Sequence, residues 1–208
     1  MPPEQPTGYP VPTALAEAQV EDRRSRFIAA AGPADTVEAA KAFIDTRRRQ
    51  YPDASHHVYA FAVGHGATVV HGMSDDGEPS GTAGRPCLAV VQGSGLGDVV
   101  VVVTRYFGGT KLGTGGLVRA YTAAAQAVLA EVGTERKVMR RAAQLRLPYD
   151  CYDPCRRVLG ELGAEVTSEE FGADVLVCLE VEEPQIEPLS ARVRDITSGR
   201  VTLELDGG

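Results

Sequence analysis

Val101-Val102-Val103-Thr104-Arg105-Tyr106-Phe107-Gly108-Gly109-Thr110-Lys111-Leu112-Gly113-Thr114-Gly115-Gly116-Leu117-Val118-Arg119-Ala120-Tyr121 changes character twice along its length. The run over 98–104 reads as a strand buried on both faces, because an unbroken β-branched stretch offers no polar side to water. Five glycines follow, and residues 115–131 read as an alanine-rich helix. A strand that enters a glycine loop and then a helix presents backbone N–H groups and a positive helix end to an anion. Arg105, Tyr106, Gly108, Gly109, Lys111, Gly113, Thr114, Gly115, Gly116 and Arg119 are therefore candidate anion- or nucleic-acid-binding residues. The alternative is a glycine-lined turn that lets helix pack closely on strand. Neither the Walker A spacing nor G-x-G-x-x-G occurs here, so no nucleotide-loop fingerprint supports the reading.

Working upstream, 13–30 predicts one or two strands around Ser25-Arg26-Phe27-Ile28-Ala29. Asp35 or Thr36 caps a helix over Val37–Gln50, apolar at Val37, Ala40, Phe43 and Ile44 and ended by Pro52. Residues 57–63 and 68–71 form a hairpin through Gly64-His65-Gly66, and 82–91 a helix with Pro86 in its first turn. Downstream, 139–147 alternates as a half-buried strand, Asp153-Pro154 supplies cap and first-turn proline for a helix to Leu162, and Gly163 stops it. Strands over 165–170 and 175–181 flank a turn, Pro184 opens a helix ending before Gly199, and 200–205 closes the sheet. That βαββαβ order is ferredoxin-like. The expectation is an α+β chain: a flexible leader over 1–14, an N-terminal domain over 15–137 and a ferredoxin-like domain over 138–208.

A chain of 208 residues, 43% hydrophobic and 24% charged, has the length and balance for two packed domains. No run approaches the ~20 apolar residues that cross a bilayer. The opening residues hold neither a basic n-region nor an apolar h-region, so a cytoplasmic location without membrane association is expected. Cys87, Cys151, Cys155 and Cys178 fit neither a redox pair nor a zinc knuckle and are expected reduced. Residues 1–137 carry 13 basic and 14 acidic side chains, and residues 138–208 carry 8 and 14. Phosphate neutralisation needs clustered Lys or Arg, so the second half is disfavoured for nucleic acid and suits a protein partner instead.

Asp75, Asp76 and Glu78 lie within four residues, with Ser80 and Thr82 behind them, and could hold Mg²⁺. The competing reading is an acidic turn followed by helix-capping residues. His56, His57, His65 and His71 could join them in a mixed metal site, but His56 and His57 point to opposite faces of a strand, so one of the pair packs beneath the glycine loop. Arg23, Arg24, Arg26 and Arg47-Arg48-Arg49 suggest a basic patch, although cations at a helix C-terminus need no partner. No aromatic residue is interleaved in either run, which gives stacking on single strands little support.

SRFIA at Ser25–Ala29, HHVYA at His56–Ala60, DDGEPSGTAGRP at Asp75–Pro86 and VVVTRYFGGTKLGTGGLVRAY at Val101–Tyr121 together resemble the signature of the IMPACT family, in its YigZ-type two-domain bacterial form. The resemblance is strong over 15–135 and looser over 138–200. It implies an N-terminal α/β domain of the ribosomal-protein-S-five domain-two-like fold, followed by a ferredoxin-like domain similar to a late domain of elongation factor G. Eukaryotic relatives regulate translation by competing for a protein activator of an initiation-factor kinase, so the resemblance implies a translational theme.

The expected function is a non-enzymatic, translation-associated regulator that binds RNA, the ribosome or another phosphate-bearing partner through the glycine-rich loop, with the acidic loop on the same surface and His57 in support. Two alternatives stay open. One is a Mg-dependent enzyme acting on a nucleotide or small phosphorylated substrate, and the other is a protein-interaction scaffold built on the C-terminal domain.

Overall fold

In the computed structural model, which describes residues 8–206, the valine run is the middle strand of a five-stranded sheet. β2 (Ala16–Asp22), β3 (Ser25–Pro33), β4 (His56–Val63), β5 (Val70–Ser74) and β6 (Val99–Tyr106) lie in the order β2-β3-β6-β4-β5, each neighbour antiparallel. Val99, Val101 and Val103 face the helices α2 (Gly84–Ser94) and α3 (Thr114–Glu131), while Val100 and Val102 face α1 (Val37–Gln50). Each of these valines is fully buried, worth roughly 1.5–3 kcal/mol over an exposed one. Alanines at 29, 31, 60, 62, 124 and 125 leave room for α2 and α3 to sit close on the sheet. α1 begins where the Thr36 hydroxyl accepts the Ala39 N–H at 3.0 Å, so Thr36 rather than Asp35 is the cap.

The leader differs from expectation. Tyr9–Pro12 forms β1, paired antiparallel with β7 (Thr134–Lys137), and Tyr9 and Val11 are buried. The reason is Asp98, whose carboxylate accepts from the Tyr9 hydroxyl at 2.9 Å, the Gly64 N–H at 2.7 Å and Lys137 Nζ at 2.6 Å. Residues 1–7 of the expected leader lie outside the described residues. The hairpin is also longer than its turn chemistry suggests: β4 starts at His56, a 3-10 turn occupies Gly66–Thr68, and β5 runs on to Ser74.

Tyr9–Lys137 is one compact unit, and a second begins at Val138. In the second, β8 (Arg140–Leu147), α4 (Tyr149–Glu161), β9 (Glu165–Phe171), β10 (Val175–Glu182), α5 (Ile186–Ile196) and β11 (Glu204–Leu205) form a sheet ordered β11-β8-β10-β9, the ferredoxin-like arrangement. Its core is its own, from Leu145 and Leu147 through Leu159 and Leu179 to Leu189 and Val193. α4 starts a turn earlier than Asp153 allows, which leaves Pro154 inside the helix. A helical stripe of Cys151, Cys155, Val158 and Leu159 buried against the sheet offsets the backbone bond that proline removes. The last strand is only Glu204–Leu205, shorter than expected. The four cysteines are free thiols. Among the described residues, no helix is long and apolar enough to cross a membrane.

Candidate functional site

Strand parity decides which side chains meet. In β6, Arg105 falls on the face of Val101 and Val103, toward α2 and α3, and Thr104 falls on the opposite face. β4 repeats the split. His57 lies with Thr104 on the α1 side, its Nδ1 3.2 Å from the Thr104 hydroxyl, while His56 lies on the side of the two loops. The expected supporting histidine, His57, is therefore turned away from the glycine loop, and His56 occupies the place assigned to it. Burial lowers the His57 pKa, against an opposing pull from the Asp76 charge.

The acidic loop splits into three separate jobs. Asp75 accepts the N–H groups of Gly81, Ala83 and Gly84 at 2.8, 3.0 and 2.8 Å and so caps α2, a role expected of the residues behind it. Burial disfavours its charge, but those donors outweigh burial and hold its pKa below the ordinary value. Asp76 accepts the His57 backbone N–H at 2.6 Å and Arg48 Nη2 at 3.1 Å, and its carbonyl accepts from His56 Nδ1 at 2.8 Å. Glu78 turns inward. The three carboxylates do not converge, and among the described residues no group of three or more His, Cys, Asp and Glu could hold a metal ion. The loop therefore offers no site at which the three carboxylates act together on Mg²⁺, and the four histidines do not join them in a mixed site. Ser80 is exposed, and the Thr82 hydroxyl donates to the Pro79 carbonyl at 2.6 Å.

Glu78 joins the two loops. Its Oε1 accepts from Arg105 Nη1 at 2.6 Å and from the Tyr121 hydroxyl at 2.8 Å, and it lies 3.9 Å from His56 Nε2. Burial and the Glu78 charge push the Tyr121 pKa up, so its hydroxyl remains a donor. Burial likewise pushes the Cys87 thiol up to about 12, which removes it as a nucleophile.

The glycines are of different kinds. A Cβ at Gly108 would sit 2.0 Å from the Arg24 backbone, and one at Gly116 would press on Leu112, so these two serve packing. Gly109 and Gly113 have positive φ. Gly115 has neither constraint: its φ is helical and a Cβ there would meet nothing within 4 Å.

The Gly108 contact carries the basic turn to the loop. β2 and β3 are joined by Arg23 and Arg24 alone, both at positive φ, a two-residue turn that usually takes Asn-Gly. Gly108 N–H and Arg105 Nη2 both reach the Ser25 hydroxyl, at 3.2 and 3.3 Å. Arg26 stacks over the Tyr106 ring at 4.6 Å, and the half-exposed Phe107 ring lies 5.6 Å from the Arg105 guanidinium. Lys111, Thr114 and Arg119 are exposed around the start of α3. Aromatic rings thus sit among the arginines after all, supplied by β6 rather than by the basic runs. Ser25, Phe107 and Tyr121 were not legible as site residues, and His56 was expected only as a possible metal ligand, because the register of β3, β4 and β6 and the packing of α3 bring them together. Between the loops is a cleft of about 330 Å³, lined among others by Glu78, Arg105, Phe107, Lys111, Gly113 and Thr114.

Residues 23–129, which include every residue of this cluster, match the family model described as the Impact N-terminal domain. The chain belongs to the IMPACT family. Residues 145–200 match a domain of unknown function, DUF1949. Family members of similar length include YigZ of Escherichia coli strain K12, 37% identical over 194 residues that cover 93% of this chain and 95% of that one. A member from Haemophilus influenzae is 37% identical over 198 residues, covering 95% and 96%. A crystal structure described as a hypothetical protein matches with a TM-score of 0.70 at 35% identity, over 96% of this chain and 98% of that one.

Proposed function

We propose that this IMPACT family member is a cytoplasmic, non-catalytic binding protein of the translation apparatus, which holds single-stranded RNA, free or within the ribosome, on the surface around the glycine loop. The observation that carries the reading is the seating of Gly108 on the Arg24 backbone. It joins a basic turn to a loop that leads to the exposed Lys111 and Arg119, with the half-exposed Phe107 ring and the partly exposed Tyr106 ring beside it. Cations that track phosphates beside rings that stack on bases are the two components of sequence-tolerant single-strand binding. The strained turn supports the same reading, since two arginines at positive φ cost about 1–2 kcal/mol each where Asn-Gly would cost far less. Backbone strain retained at a surface turn points to a use for the side chains.

Arg23→Asn/Arg24→Gly separates the two roles. It should raise stability by roughly 1–2 kcal/mol, yet weaken binding of a short RNA and make log K against log salt shallower by about one to two. RNA affinity and salt slope equal to the parent would refute the proposal, and a fall in stability would remove the strain argument.

A further inference from the structure

Between α2 and α3, on the outer side of the helix layer, runs an open trough of about 800 Å³. β5 and β6 are each antiparallel to β4, so they run parallel to one another, and α2 and α3 both return from their far ends. The two helices therefore start at one end of the sheet and lie side by side. Trough residues recur at helical spacing, Arg85, Ala89 and Gly93 along α2 and Val118, Thr122 and Leu129 along α3, over roughly 14–18 Å at ~1.5 Å per residue. Little fills the trough: Ala89 and Gly93 are exposed, a Cβ at Gly93 would meet nothing within 4 Å, and Val118 is 38% exposed. Stability alone favours closing such a space with larger side chains, and an uncovered apolar trough between two helices is the form that accepts a third.

The charge of the trough is uneven. Arg85 lines one end, and Arg119, three residues before Thr122, rises on the same face of α3. Both are exposed, and neither forms a salt bridge among the described residues. α2 has no acidic residue, and the single one in α3 is its last, Glu131. Asp75 offsets the start of α2 and acts on the Arg85 charge, while Asp76 and Glu78 are turned to Arg48 and Arg105. With half a charge at each helix start, about two positive charges remain unanswered at this end. The other end, at Gly93, Ser94 and Ala130, is uncharged.

We infer that this trough docks an amphipathic helix of a partner protein, about three turns long, with carboxylates at the end that meets Arg85 and Arg119. Its apolar side chains lie between Ala89, Gly93, Val118 and Leu129, where small residues on α2 let the incoming helix approach. Its acidic end answers the two arginines, which sets the direction in which it lies. A nucleic-acid strand needs cations along its whole length, and the trough supplies them at one end only, so a polypeptide fits it better. This docking does not depend on RNA binding at the glycine loop, although Arg119 borders both surfaces.

The full chain is used to select from a phage-displayed library of helical peptides about 14 residues long. The enriched peptide is then titrated by fluorescence anisotropy beside a counterpart with Lys in place of each Asp and Glu. Enriched sequences should carry apolar residues three and four apart with carboxylates clustered at one end, and the lysine counterpart should bind about tenfold more weakly or worse. Arg85→Glu should reverse that charge preference. Gly93→Leu puts a side chain into the trough at a position with free space and raises helix propensity. It should weaken the peptide by about tenfold or more while the melting temperature does not fall and affinity for a short RNA does not change. Ala89→Gln, at an exposed helical position, is the second blocking variant and should act in the same way. Failure to enrich any peptide, or peptides that bind Arg85→Glu and both blocking variants as they bind the parent, overturns the docking site and leaves the RNA proposal standing. RNA that displaces the peptide and loses affinity in Gly93→Leu assigns the trough to nucleic acid. Dimerisation of the chain that Gly93→Leu abolishes assigns it to a second copy, and either result overturns the partner helix.

Discussion

Glu78 and Arg105 face each other at 2.6 Å with 4% and 6% of their side chains exposed, so neither charge can be left alone without a large penalty. Glu78→Ala strands a guanidinium beside the Phe27 ring and also takes the acceptor from Tyr121. A loss of about 3–5 kcal/mol is expected in urea unfolding, with much of it recovered in Glu78→Leu/Arg105→Met, where both charges leave together. Similar losses for the single and double variants would mean that the pair is not coupled. His57 gives the second prediction at this scale. Burial lowers its pKa more than Asp76 raises it, so the folded state binds protons less readily than the unfolded chain. Its contribution is then complete above the ordinary value of 6.5 and declines as pH falls from there toward the lowered value. His57→Gln should flatten stability against pH as pH falls below the ordinary value of 6.5; an unchanged slope would show that another group titrates there.

At the scale of elements, α2 has a cap that comes from eight residues away. Ala83 precedes the helix without a capping side chain, and Asp75 supplies the acceptor to Ala83 and Gly84. Asp75→Ala should cost about 1–2 kcal/mol, and the loss should fade in acid. The carboxyl pKa is held down by its backbone donors, so the stabilisation is present above the ordinary value of 3.8 and vanishes as pH falls through the lowered one. A penalty that persists in acid would assign it to packing instead. This cap also marks how far local sequence could be read. β6, α1, α3 and the βαββαβ order were legible because period, caps and stop residues are local properties. β1 was not, since Tyr9 and Val11 are held by Asp98 and β7 through contacts about ninety residues apart, as for Tyr9 and Asp98. Pro154 misled because a proline's ordinary first-turn preference gave way to the burial of Cys151 and Cys155. At the site, the glycine loop was visible as a motif, but the split roles of Asp75, Asp76 and Glu78 depend on where α2, β4 and Arg105 lie in space.

At the scale of the molecule, charge and packing divide at the same place. The unit Tyr9–Lys137 closes its own cores on both faces of the five-stranded sheet, and the unit that begins at Val138 closes another. β7 belongs to the first, because Lys137 pairs with Asp98 and backbone-pairs with Tyr9. Separating the chain between Lys137 and Val138 should therefore give two fragments that each unfold cooperatively, whereas a cut before Thr134 should destabilise the N-terminal one by removing β1's partner. The first 137 residues carry 13 basic and 14 acidic groups, and the rest carry 8 and 14. Removing residues 138–208 takes a net charge of −6 out of the chain, 8 basic against 14 acidic groups. The 1–137 fragment should bind RNA at least as tightly as the full chain at low ionic strength, where fields reach ~10–30 Å, and the difference should close as salt shortens that reach. Binding that follows residues 138–208 instead would move the RNA surface to the acidic unit and overturn the placement at the glycine loop. Weaker binding by 1–137 with its fold intact would mean that the second unit contributes contacts of its own, and the size of the loss at high salt, where long-range repulsion is screened, would measure them.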